Sequence, residues 1–262
     1  MPFVEKKTRA GKRIRVEKYY TSRYGSKGRC TRGNNYGRTP ENMAERNSKY
    51  AYMKADDIFN ENFSEGDITM VLTFAPEKRP KSKKELSEIW SKYIRQVRDA
   101  YKKAGAPLKW QKGIDPKKNN PHIHLALTSI DIKLLPKWEY GGVHIRPVDG
   151  RDNHTFGSYA KKQGKIEEDN NDEFLPGKGL CCYSHSRNCV LPEPEITIIS
   201  NDHWADEPKA PKGYYIFEKK IENWEDKVDG YKHQCYILCE LPDKPEKKPK
   251  NKPKAAGKGG RQ

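Results

Sequence analysis

The sequence predicts an α+β protein: a ferredoxin-like antiparallel sheet, the split βαβ arrangement, with helices on one face and a C-terminal extension. Three observations lead there. Residues 82–105 carry an apolar stripe at helical spacing, short alternating segments flank that stretch, and the order from residue 67 onward reads β-α-β-β-α-β-α. Strands adjacent in sequence can pair antiparallel through a short turn, whereas parallel neighbours need a crossover.

The elements follow in order. "TPENMAERNSKYAYMKADDIFNENF" (39–63) reads as a helix, with Thr39 as N-cap and Pro40 at the first helical position. "DITMVLTF" (67–74) alternates, setting Met70, Leu72 and Phe74 on one face. In "SKKELSEIWSKYIRQVRDAYKKAG" (82–105), Ser82 and Glu85 have capping-box spacing, and Gly105 before Pro107 is a stop. Leu86, Ile89, Trp90, Tyr93, Ile94, Val97 and Tyr101 form the stripe, which is expected to be core. "PLKWQKGI" (107–114), "HIHLALTS" and "YGGVHIRPV" (140–148) read as strands, and "NHTFGSYAKKQGK" (153–165) as a short helix. Beyond an acidic loop (166–178), residues 179–241 read as further strands and a helix.

Charge organises the chain differently. Residues 1–38 hold twelve Lys/Arg against two acids, and residues 242–262 hold eight against two. These ends account for the whole net charge of +16, leaving residues 39–241 neutral. A neutral body with basic ends fits a polyanionic partner, because neutralised phosphates release counterions. The expected division is a flexible basic arm (1–38), a core (39–165), an extension (166–241) and a disordered Lys/Pro-rich tail (242–262). Mean hydropathy is −1.08. No apolar run reaches the ~20 residues of a membrane span, and the N-terminal stretch has no secretory h-region. Six cysteines in 262 residues are too sparse for a disulfide scaffold, so reduced thiols and an intracellular location are expected. Cys181, Cys182, His185 and Cys189 lack the usual zinc spacing, and buried thiols are the expectation.

The chemistry lies in "NNPHIHLAL" (119–127). On a strand, His122 and His124 share one face with Ala126, while Ile123, Leu125 and Leu127 share the other. Two such imidazoles can chelate a divalent cation. By itself His-x-His is a weak signal. In "SYAKKQGK", Tyr159 and Lys162 lie one helical turn apart. A tyrosine hydroxyl can attack phosphorus when a metal polarises the phosphate and a nearby cation stabilises charge. Taken alone, Tyr159 reads better as a core aromatic and Lys162 as a solvated charge.

Taken in order, "LTF" (Leu72–Phe74), "HIH" (His122–His124) and "YAKK" (Tyr159–Lys162) resemble the three motifs of the HUH endonucleases. The resemblance is to the single-tyrosine rolling-circle replication initiators of plasmids and phages, and it covers roughly residues 55–192. It implies a DNA nickase and strand transferase with Tyr159 and Lys162 catalytic and His122 and His124 binding Mn²⁺ or Mg²⁺. The substrate would be single-stranded or hairpin origin DNA, touched by Thr73, His144 and Arg146. It also implies a cytoplasmic setting in a bacterial cell, on a mobile element or phage. The family often presents a third ligand, commonly Glu, on the preceding strand. That strand here offers Gln111, or alternatively Asp115. No P-loop occurs, so unwinding would fall to a host helicase. Alternatives are a transposase or relaxase with the same chemistry, and a non-catalytic protein binding single-stranded nucleic acid on its open face.

Overall fold

The computed structural model describes residues 2–21, 24, 41–148, 175–177, 180–200, 203–227 and 230–241. Within them the chain is α+β, with two five-stranded sheets, both antiparallel throughout. One sheet takes the order β6 (Val143–Pro147), β3 (Ile68–Thr73), β5 (His122–Leu127), β4 (Trp110–Asp115), β7 (Tyr183–His185). The histidine strand is therefore the middle one. β3 and β4 run the same way, joined by helix α2 (Lys83–Ala104), with β5 inserted antiparallel between them.

Helix α2 is built as its sequence indicates. The Ser82 hydroxyl accepts from the Glu85 amide at 3.2 Å, and the Glu85 carboxylate accepts from the Lys81 amide at 2.7 Å. Gly105 takes the left-handed conformation at the other end, which costs glycine no Cβ clash. The whole stripe from Leu86 to Tyr101 is buried against Met70, Leu72, Ile123, Leu125 and Leu127. Each such side chain contributes about 1.5–3 kcal/mol by leaving water. Lys112 also falls on this face. Its amine lies 5.0 Å from the Trp90 ring centroid, and burial pushes it down to about 8.

Several expectations need correction. Helix α1 (Glu41–Asn62) does not share a face with α2. Its Phe59 and Phe63 pack on Ala126, Val148 and Tyr183, so part of the histidine face is covered. Between β5 and β6 stands only a 3-10 turn, Ile132–Leu134, where a second crossover helix was expected. The core does not end at residue 165, because β7 adds a strand to its sheet and Cys182 sits in its interior. Thr39 and Pro40, the helix expected at 153–165 and the tail beyond residue 241 lie outside the described residues.

The largest correction concerns the basic arm. Residues 3–20 are a hairpin, β1 (Phe3–Ala10) and β2 (Arg13–Tyr20), turning at Gly11 and Lys12. Gly11 has a positive φ, and a Cβ there would meet the Asn60 carbonyl at 2.4 Å. The hairpin joins the order β8 (Pro194–Ile198), β1, β2, β10 (Lys232–Glu240), β9 (Tyr214–Glu225). Among the described residues the extension holds no helix.

Helix α1 thus lies between the two sheets. Its contact with the second one is charged. Arg15 pairs with Asp57, and Glu17 lies 3.4 Å from Arg15 Nε and 2.8 Å from Lys6 Nζ. Charges out of water persist only when paired. Burial pushes the Asp57 carboxyl up to about 7, opposed by Arg15 and reinforced by Asp56 and Glu17. The folded protein therefore holds this proton more tightly than the unfolded chain. Its contribution is full below about pH 4 and declines as pH rises toward 7. Thermal midpoints taken between pH 4 and 7 should fall less in Asp57→Asn than in the parent. Parallel curves would show that Asp57 does not set this dependence.

Candidate metal and phosphate site

The site is a product of hairpin register. Antiparallel pairing runs outward from the loop 116–121, setting Asp115 opposite His122, Gly113 opposite His124 and Gln111 opposite Ala126. Side chains on paired residues share a face. On the other side of β5, Thr73 faces His122 and Val71 faces His124, with His144 beyond Val71. One row thus reads Thr73, His122, Asp115, and the next reads His144, Val71, His124, Gly113, Tyr183.

The two rings have centroids 5.0 Å apart. His122 Nδ1 lies 3.0 Å from the Asn120 carbonyl. A carbonyl only accepts, so Nδ1 carries the hydrogen and Nε2 is the nitrogen left to meet a cation. That Nε2 lies 4.0 Å from Asp115 Oδ2. Asp115 is 4% exposed, whereas the His122 side chain is 20% exposed. The donor set of two imidazoles and a buried carboxylate suits a divalent ion. Among the described residues, no three His, Cys, Asp or Glu side chains are yet closed to metal-binding distances. Ligands about 2.1 Å from one ion stand roughly 3–3.4 Å apart, so His122 and Asp115 need to approach by less than about 1 Å.

Gln111 is placed differently. Its Nε2 donates to the Ala55 carbonyl of α1 at 2.9 Å and to the Tyr183 hydroxyl at 3.1 Å. The side chain is fully buried, and its Oε1 has no hydrogen-bond partner. The amide is tied toward α1 and β7, so of the two alternatives for a third ligand, Asp115 is the one facing a histidine.

The remaining site residues divide. Thr73 stands beside His122, its hydroxyl donating to the Gly142 carbonyl at 3.1 Å. His144 is exposed on edge strand β6, two strands from His124, about 10 Å away at the usual strand spacing. Arg146, also exposed, pairs with Thr69 in the row beyond. Tyr159 and Lys162 lie outside the described residues. Cys182 and Cys189 are buried free thiols, Cys182 pushed up to about 12 by burial.

No protein-family model, curated protein or solved structure matches the chain. The helices of the described residues include none long and apolar enough to cross a membrane.

Sequence reasoning placed His122 and His124 correctly on one face but did not rank Asp115 above Gln111. The six-residue loop 116–121 held the signal, since one-for-one pairing from its ends brings Asp115 to His122. It also missed Asn120, whose backbone carbonyl orients His122.

Proposed function

We propose that this protein nicks and rejoins DNA by HUH-type chemistry, initiating rolling-circle replication. The observation that carries the reading is His122 on the central strand of an antiparallel sheet facing Asp115 on its neighbour β4, with His124 in the next row of the same face. The split β3–α2–β4 unit with β5 between its strands supports a ferredoxin-like core.

A divalent ion bound there, Mn²⁺ or Mg²⁺, supplies Lewis-acid polarisation of a phosphodiester. His122 offers Nε2 because Asn120 holds its other nitrogen protonated, and Asp115 adds the negative charge that two neutral imidazoles lack. The half-exposed edge of the face admits a strand, and Thr73 is positioned to line it. Tyr159 is the proposed nucleophile. Its hydroxyl gives up its proton as its oxygen bonds to phosphorus, the bond from phosphorus to the 3′ oxygen breaks, and the departing 3′ oxygen takes up a proton to become the 3′-hydroxyl. The 5′-phosphate stays on tyrosine, conserving the bond for rejoining. Lys162 is the proposed cation offsetting charge at the phosphate. Origin DNA, in single-stranded or hairpin form, is the proposed substrate, and a host helicase the proposed partner.

The test is incubation with Mn²⁺ and labelled single-stranded and hairpin oligonucleotides, resolved on denaturing gels. The parent protein should yield a covalent adduct carrying the 5′ end of the cut strand, absent from Tyr159→Phe. Adduct formation by Tyr159→Phe would remove Tyr159 from its role. Tight binding with no adduct on any substrate would favour a non-catalytic protein that binds single strands.

A further inference from the structure

A second polar feature lies away from the histidines. A groove of about 790 Å³ opens where the C-terminal end of α2 meets the turn after β7. Its rim carries Arg98 and Lys102 from the helix, His185 from the end of β7 and Arg187 from the turn. Its floor includes Leu108 and Trp110, and among the described residues its lining contains no carboxylate. Basic residues closing a helix complement the helix dipole. That accounts for Lys102 but not for Arg187, which arrives from a separate element.

The turn bearing Arg187 is fixed in place. The Ser186 amide donates to the Trp110 carbonyl at 2.8 Å, and the Trp110 amide donates to the Ser186 hydroxyl at 3.1 Å. Asn188 Nδ2 donates to the Leu108 carbonyl at 3.0 Å. His185 Nδ1 donates to the Ser186 carbonyl at 3.0 Å. Arg187 is exposed, as are Arg98 and Lys102, so these cations are held beside an apolar floor without burying their charge.

We propose that this groove binds single-stranded DNA, its phosphates on Arg98, Lys102 and Arg187 and a base against the half-buried Leu108. Three cations on the rim over an apolar floor are the complement of a phosphodiester chain with unstacked bases. The proposal rests on the nuclease reading only for the choice of DNA as the strand. Trp110 begins the strand that Asp115 ends, which places the groove about 17 Å from the histidine row along β4.

The experiment is fluorescence anisotropy of the full chain with labelled oligo(dT), over a range of salt. The Arg98→Ala/Lys102→Ala/Arg187→Ala variant is compared with Lys84→Ala/Lys133→Ala/Lys137→Ala, which removes equal charge elsewhere. Three lost phosphate contacts should reduce the salt slope by about 2, at roughly 0.7 per contact on single strands. Affinity should weaken at least about tenfold in the groove variant alone. Equal losses in both variants, or none in either, overturn the proposal. So does an acidic peptide that competes for the groove where oligo(dT) does not. Groove-dependent binding without any nicking would sink the nuclease reading and leave the groove standing, and nicking with groove-independent binding would do the reverse.

Discussion

Deleting residues 1–38 is expected to unfold the sheet that carries the C-terminal strands, and not merely to weaken nucleic-acid binding. The deletion removes β1 and β2. β2 lies between β1 and β10, and among the described residues β8 has no strand partner but β1. What remains is the β9–β10 pair, and an isolated two-stranded hairpin is marginal in water. Val4 and Val16 are fully buried and Phe3 nearly so, each contributing about 1.5–3 kcal/mol. Removing Arg15 also strands Asp57, and a broken buried pair costs about 3–5 kcal/mol. Together these rival the whole stability of a typical domain, about 5–15 kcal/mol. Hydrogen exchange should show the β10 amides losing protection in the truncated chain. Retained protection would mean the hairpin is dispensable. The electrostatic role of the region is better tested with Lys7→Gln and Lys12→Gln, since both side chains are exposed.

Asp115→Asn, His122→Ala and His124→Ala are expected to lower metal-dependent cleavage by at least about 100-fold, the several kcal/mol a Lewis acid supplies. Mn²⁺ titration should show Asp115→Asn binding more weakly, with little change in melting for His122→Ala because that side chain is partly exposed. Gln111→Glu behaves differently. The new carboxylate would replace the amide that donates to Ala55 and Tyr183, leaving a buried carbonyl unpaired and a charge buried. We expect it to cost about 3 kcal/mol or more in stability with no tighter Mn²⁺ binding. Tighter binding in a fully folded Gln111→Glu would restore Gln111 as the third ligand.

What the sequence made legible was what hydropathy writes plainly. The stripe of α2, its Ser82 cap and its Gly105 stop are read directly, because each reflects a local preference that burial reinforces. The alternation in β5 fixed the face of both histidines. The β1–β2 hairpin was obscured because its face toward α1 is charged. Arg13, Arg15 and Glu17 are buried, and such residues carry no apolar signal when their stability comes from partners distant in sequence. The clues were Ile14 and Val16 alternating beside Gly11. Coverage of Ala126 by Phe59 and Phe63 was equally invisible, since nothing local says which sheet face an amphipathic helix takes.

The sheet shared by the first and last described strands has a consequence for how the chain folds. Glu17 pairs with Cys235, and closing a loop of that length costs about 5 kcal/mol in entropy. Contacts between such distant segments slow folding. As the chain leaves the ribosome, the hairpin emerges well before β10. The β3–β7 sheet, with α1 and α2 on its two faces, has all its parts before the hairpin can meet its partners. Until then the hairpin keeps an open edge, the kind of surface that recruits other chains, and the charged side chains along β1 and β2 are well suited to discourage that.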